Sequence, residues 1–184
     1  RHYDPMKSEA MSAFSMGLNR NKRSIVLDLK SAAGHQAMID LVATADVFAT
    51  SLRRGALERL GLSSEELRGV KPDLIYCIAN GYGSDGPYAD KPAFDDVIQS
   101  VSGLASMFER TAGQPMLVPS IMADKVCGIH IAAAISASLV RKATTGLGDH
   151  VEVPMAETMA AFNMVEHLGG RTYEPQHGDF SYAR

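Results

Sequence analysis

Pro72-Asp73-Leu74-Ile75-Tyr76-Cys77-Ile78-Ala79, running on into Asn80-Gly81-Tyr82-Gly83-Ser84-Asp85-Gly86-Pro87-Tyr88, is the passage on which the fold turns. The run from Leu74 to Ala79 is apolar without alternation, as in a strand covered on both faces, and that is the condition of strands in parallel sheets. Upstream, Ser24-Ile25-Val26-Leu27-Asp28-Leu29 has the length and β-branched character of a strand. Ser31 can cap a helix in which Ala37, Met38, Leu41 and Val42 recur at helical spacing as far as Ala45. Asp46 to Thr50 reads as a second strand, and Ser63 with Glu66 has capping-box spacing for a short helix ending near Gly69. Strand, helix, strand, helix, strand predicts an α/β fold, a Rossmann-like parallel sheet with flanking helices and right-handed crossovers.

Downstream, the Gly/Pro loop from Asn80 to Tyr88 sits beyond the carboxyl end of a strand, where open α/β sheets bind ligands. Phe94 to Phe108 carries a helical stripe at Val97, Ile98, Val101, Leu104 and Met107. Ala123 to Arg141 predicts the longest helix; it is apolar nearly all round, so it is expected to be buried. Gly146 and Gly148 stop it, His150 to Val153 is a short strand, and Ala156 to Leu168 a further helix. The first 20 residues show no clean period and are read as irregular.

Composition narrows the function. With 184 residues, 46% hydrophobic and 21% charged, the chain can bury one real core. A net charge of -3 argues against a general nucleic-acid or membrane-surface binder. Cys77 and Cys127 lack the spacing of a redox or zinc pair and read as buried hydrophobes in a reducing cytoplasm. No uninterrupted apolar run reaches the roughly 18 residues of a membrane helix once Ser, Thr, His and Gly are counted as breaks. The six histidines are scattered, so no metal site is expected. No G-x-G-x-x-G follows a strand, which disfavours a dinucleotide-dependent dehydrogenase.

Asp124 is the residue with the most chemical interest. It stands where the loop Val118-Pro119-Ser120-Ile121-Met122 meets the start of the long helix. Unpaired N–H groups and the helix dipole would favour its ionised form there, and an ionised carboxylate is a nucleophile towards an activated acyl group. A plain helix cap explains the same position. Asp95 has the same two readings, and His130 reads as a satisfied core histidine. Gly81-Tyr82-Gly83 can bring backbone N–H groups up to an oxyanion, or be only a turn. Asn21-Lys22-Arg23 is a compact basic group suited to phosphates, or a solvated surface cluster.

The chain also resembles the family III coenzyme A transferases. The likeness is carried by eight pieces in order. They are Asn21-Lys22-Arg23-Ser24-Ile25-x-Leu27-Asp28-Leu29-Lys30; Ala45-Asp46-Val47; Gly55-Ala56-Leu57-Glu58-Arg59-Leu60-Gly61; and Pro72-x-Leu74-Ile75-Tyr76. Then come Gly81-Tyr82-Gly83-x-x-Gly86-Pro87-Tyr88; Phe94-Asp95-x-x-x-Gln99-x-x-Ser102-Gly103; Ala123-Asp124-x-x-x-Gly128; and Arg141-x-x-x-Thr145-Gly146-x-Gly148-x-x-Val151-x-Val153-x-Met155.

The resemblance implies that Asp124 is the nucleophile that takes coenzyme A through an aspartyl anhydride and an aspartyl thioester. It places Asn21, Lys22, Arg23, Arg59 and Leu60 at the CoA, and Phe94, Asp95, Gly81, Tyr82 and Gly83 around the acyl group. No permanent cofactor is implied: CoA and acyl-CoA are substrates, together with a small carboxylic acid. A homodimer of interlocked chains is implied, and no nucleic-acid or membrane partner. Related racemases carry a histidine at the place of Phe94, and phenylalanine has no proton to move, which favours transferase over racemase. Ser51-Leu52-Arg53-Arg54 departs from the usual Asn-Phe-x-Pro. On this reading residues 1-168 are part of a CoA-binding large domain truncated at both ends, and 169-184 lead towards a small domain. A non-catalytic fragment that binds CoA or another subunit is the reading from a different class.

Overall fold

A computed structural model describes residues 5–9 and 11–178 of the chain. The fold is built on a three-stranded parallel sheet in the order β3-β4-β5, with β3 at Val47–Thr50, β4 at Ile75–Asn80 and β5 at Asp149–Pro154. Val47 is level with Ile75, and Ile75 with Asp149, so the strands start together. The central strand is covered on both faces as expected: Ile75, Tyr76, Cys77 and Ile78 are all buried.

Successive residues of β4 point to opposite faces, and each face has its own core. On one, Leu74, Tyr76 and Ile78 pack with Val42, Leu57, Leu62 and Leu67. These come from α2 (Ala32–Thr44), α3 (Arg54–Arg59), α4 (Ser64–Val70) and the α3–α4 turn. Ser31 caps α2 by accepting from the Gly34 N–H, and the Ser63–Glu66 capping box starts α4. Tyr76 satisfies its hydroxyl by donating to the Leu62 carbonyl at 3.0 Å. On the other face lie α5 (Asp95–Val101), α8 (Met122–Thr145) and α9 (Met155–Leu168), with the short α6 (Leu104–Met107) and α7 (Glu109–Ala112) between α5 and α8. A small antiparallel pair, β1 (Met6–Ser8) and β2 (Met11–Ser12), leads into α1 (Ala13–Leu18).

Four expectations are corrected. Residues 1–20 are not all irregular, because Ser12 caps α1 by accepting from the Ser15 N–H at 3.0 Å. Ser24–Leu29 forms no strand: it pairs with no described strand, and Ile25 and Val26 are 62% and 85% exposed. Strand composition without a neighbour to take its hydrogen bonds gives extended chain only. The helix at 94–108 is broken at Gly103, where φ is 86°.

The fourth concerns α8. One side buries Ala123, Val126, Cys127 and Ser138, while Ile129 and Val140 stand 70% and 66% exposed. By length and composition α8 also meets the criterion for a membrane-crossing helix, contrary to the expectation from its interruptions. Its observed contacts are with α5, α9, β4 and β5.

The amino ends of the three strands carry Asp46, Asp73 and Asp149, and all three are tied to the last turns of α8. Lys142 Nζ reaches Asp46 at 3.0 Å and Asp73 at 2.8 Å, and Lys71 reaches Asp73 at 3.1 Å. Arg141 lies 3.2 Å from Asp149, which also accepts from the Ser138 hydroxyl at 2.9 Å. The Lys142 and Lys71 ammonium groups hold the Asp73 carboxyl down at about 2. Burial of Asp149 works the other way, yet Ser138 and Arg141 keep its carboxyl below the usual range. Gly148, just before β5, lies so close to the carbonyls of Pro72 and Leu74 that a methyl group there would collide with backbone.

Candidate active site

Three segments converge beyond the carboxyl end of β4: the loop that follows it, the start of α5 and the start of α8. Gly81 opens the loop, and a methyl group at this position would run into the Cβ of Ala93. Glycine therefore lets the loop lie directly on the segment that delivers Phe94 and Asp95. Tyr82 turns inward and packs with Ile98, Ala123, Val126, Cys127 and Met159. It is a core residue holding the three segments together, rather than a wall of a pocket.

The Gly83 N–H, a candidate oxyanion donor, instead donates to Glu157 Oε1 at 2.8 Å. Glu152 holds the same loop by accepting from Asn80 Nδ2, the Ser84 N–H and the Ser84 hydroxyl at 2.8, 3.0 and 2.7 Å. Neither glutamate was picked out from the sequence. The signal was available as two acids five residues apart in the otherwise apolar stretch 151–157.

Helix α8 has Ile121 as its N-cap, which offers no side-chain acceptor to the orphan N–H groups of the first turn. Asp95 supplies one from outside: its Oδ1 accepts from the Asp124 N–H at 2.9 Å. Asp95 is thus a cap, but of a helix other than its own. Its Oδ2 accepts from Gln99 Nε2 at 2.6 Å. The two carboxyl groups singled out in the sequence are therefore brought together.

Their proximity reverses the expected electrostatics. Asp124 was expected to ionise readily at a helix start. Instead, the protein packed beneath it, and then the negative charge of Asp95, push its carboxyl above the usual carboxylate range. The residue keeps an exposed surface, so solvent and small molecules can reach it. Cys127, one turn along α8, feels the same pair: burial, then Asp124 and Asp95, raise its thiol to about 11. That thiol is a buried, inert hydrophobe, as expected. His130 is not in the core; it is exposed, with Nδ1 2.8 Å from the Val126 carbonyl.

A cavity of about 320 Å³ meets the site through Gly81 and Phe94, with Asn80, Arg53, Arg54 and Lys91 also on its wall, while neither Asp95 nor Asp124 lines it. Phe94 is 75% exposed there. The two arginines belong to the stretch that departs from the family pattern, and Lys91 stands over the Tyr88 ring of the loop at 4.0 Å. Lys22 and Arg23 line a separate, more open concavity of about 820 Å³ with Phe14, Leu18 and Ile25. Lys22 donates to the Leu18 carbonyl, and Asn21 adopts a positive φ of 60°. Arg59 is exposed at the end of α3, and Leu60 packs against the first core; neither lines the cavity at Phe94. Among the described residues no cluster of His, Cys, Asp and Glu is arranged to hold a metal ion.

The family-wide sequence profile of CoA-transferase family III matches residues 1–182. The chain belongs to CoA-transferase family III. It is 39% identical over 164 residues to a succinate–glutarate CoA-transferase of Agrobacterium fabrum, covering 87% of this chain and 41% of that protein. It is 35% identical over 163 residues to an acetyl-CoA:oxalate CoA-transferase of Acetobacter aceti, covering 88% and 42%. The crystal structure of a CAIB/BAIF family protein from Brucella suis superposes with a TM-score of 0.85 at 29% identity, over 95% of this chain and 46% of that one. The chain thus spans about two fifths of the length of the curated relatives it matches.

Proposed function

We propose that this chain carries the nucleophile-bearing part of a CoA-transferase and that Asp124 is the nucleophile. The observation that carries the reading is the setting of Asp124: reachable from solvent at the start of α8, bonded through its N–H to Asp95, with its carboxyl raised. A raised carboxyl is the more basic, and so the more nucleophilic, once ionised.

In the proposed reaction an Asp124 oxygen attacks the acyl carbon of a CoA thioester. The C–S bond breaks, leaving a mixed anhydride and the CoA thiolate. The thiolate attacks the Asp124 carbonyl carbon and expels the donor carboxylate, giving an aspartyl thioester. An acceptor carboxylate then attacks that thioester and releases the thiolate once more. Attack of the thiolate on the acceptor's acyl carbon restores Asp124 and completes the new acyl-CoA. Phe94 contributes only apolar surface, so the site has no proton-moving group at that place. Arg53, Arg54 and Lys91 are suited to the phosphates of CoA as charge-assisted donors. The substrates are an acyl-CoA and a small carboxylic acid, and the working form is a homodimer in the cytoplasm.

The test is to incubate the protein with an acyl-CoA, quench with hydroxylamine or borohydride, and locate the modified residue by mass spectrometry. Modification at Asp124, absent from Asp124→Ala, is the expected result. Measurable CoA binding with no modified carboxylate would replace this reading with that of a CoA-binding protein lacking the chemistry.

A further inference from the structure

Gln99 has entered so far only as a partner of Asp95, yet it is completely buried and joins three segments through its amide. Its Nε2 donates to Asp95 Oδ2 at 2.6 Å and to the Ser120 carbonyl at 3.0 Å, with the Val118 carbonyl a weaker third acceptor at 3.4 Å. Its Oε1 accepts from the Val118 N–H at 2.8 Å. A primary amide has two N–H donors, so the two short bonds account for both. The amide cannot be turned over, because Oε1 must face an N–H and Nε2 must face a carboxylate and a carbonyl. Asp95 in turn fixes the Asp124 N–H. The amide of Gln99 therefore sets both ends of one unit: the carboxylate that caps α8 and the turn from which α8 starts.

We propose that Gln99 is the positioning residue of this site, fixing Asp124 through Asp95 on one side and the 118–120 turn on the other. The inference rests on Asp124 being the nucleophile, but the geometry it asserts can be measured without turnover. The same arrangement fixes the distance between the Asp95 and Asp124 charges. Removing the amide should therefore disturb reactivity far more than ligand binding.

The experiment compares wild type with Gln99→Met and Gln99→Glu. Methionine fills the space without polarity. Glutamate keeps the acceptor for Val118 but must carry a proton to reproduce the bond to Asp95 Oδ2. In Gln99→Met, amide hydrogen exchange at Val118 and Asp124 is expected to accelerate tenfold or more, while the β4 amides are unchanged. Acyl-CoA-dependent modification of Asp124 should fall by about 10- to 100-fold, the order expected of a misplacement near 1 Å. The Kd for CoA should change by less than about threefold. In Gln99→Glu, modification should approach wild type at acid pH and fall as pH rises through the introduced carboxyl. Space-filling alone would make no such pH-dependent difference.

Unchanged exchange at Val118 and Asp124 in a folded Gln99→Met would overturn the proposal. So would wild-type modification rates in both variants at every pH. If Gln99→Met does not fold, the pH profile of Gln99→Glu decides the matter. If wild type itself is never modified, the nucleophile reading fails, and the exchange rates alone decide whether Gln99 holds this geometry.

Discussion

The two ends of the parallel sheet treat charge in opposite ways. At the amino ends of the strands, Asp46, Asp73 and Asp149 face Lys71, Arg141 and Lys142, and Asp73, Asp149 and Lys142 are shifted towards their charged forms. Beyond the carboxyl ends, Asp95 and Asp124 face each other with no cation among their described partners, and Asp124 is shifted towards its neutral form. One helix serves both ends: the last turns of α8 supply Arg141 and Lys142, and its first turn supplies Asp124. A fold that can pair its charges so thoroughly at one end is not short of means to pair them at the other. An uncompensated carboxylate pair with one member open to solvent is the pattern of a functional site.

The largest expected effects come from the two glycines that let backbone approach closely at either end. Gly148→Ala forces a methyl group into the backbone of Pro72–Leu74, and Gly81→Ala forces one against Ala93. Each should lower stability by about 1–3 kcal/mol, measured by urea unfolding, with Gly148→Ala the costlier because backbone cannot yield. Only Gly81→Ala presses on the segment that delivers Phe94 and Asp95. It should therefore cut Asp124 modification more than tenfold per folded molecule, while Gly148→Ala leaves it intact. Equal losses in both variants would erase the distinction between the two ends.

Much of this contrast was legible in the sequence, but unevenly. The alternation of capped helices and apolar strands identified the sheet, because Ser31, Ser63 and the Leu74–Ala79 run act locally. Asp124 and Asp95 were separately visible as helix-start acids. Their bond to each other spans 29 residues, and no local spacing encodes it. Gln99 stood inside a quoted motif, yet its role depends on a turn 19 residues away. Ser24–Leu29 and α8 mislead for a common reason. Composition states that a surface is suited to burial, while the partner that buries it must come from elsewhere in the fold.

A smaller effect is expected at the paired end from Lys142→Met, which leaves Asp46 without this cation and Asp73 with Lys71 alone. The Asp73 carboxyl is depressed from its ordinary 3.8 to about 2 in the folded protein. Its stabilising contribution is therefore complete above pH 3.8 and disappears as pH falls towards 2. In Lys142→Met, Tm at neutral pH should drop by a few degrees, and the further loss between pH 4 and 2 should become shallower than in wild type. An acid limb identical in the two proteins would show that these ion pairs contribute nothing to the folded state.

The smallest effect has the opposite sign and bears most directly on the comparison. Asp124 has its folded carboxyl raised, so its contribution to stability is complete below the ordinary carboxylate range and lost as pH rises through the folded value. At neutral pH the ionised side chain strains the fold, against both burial and the charge of Asp95. Asp124→Asn removes that charge while keeping the shape. Its Tm should exceed that of wild type at pH 7 by a small margin, since the exposed side chain keeps much of its solvent screening. The difference should vanish only well below the ordinary aspartate value of 3.8, where the wild-type carboxyl is protonated in both states. The same substitution at Asp73 should be destabilising at pH 7, because there the charge is paired. If Asp124→Asn is also less stable than wild type at neutral pH, the two ends do not differ in kind, and Asp124 is an ordinary helix-start acid. If it is more stable yet no longer modified by acyl-CoA, then the strain carried by Asp124 is tied to the chemistry it performs.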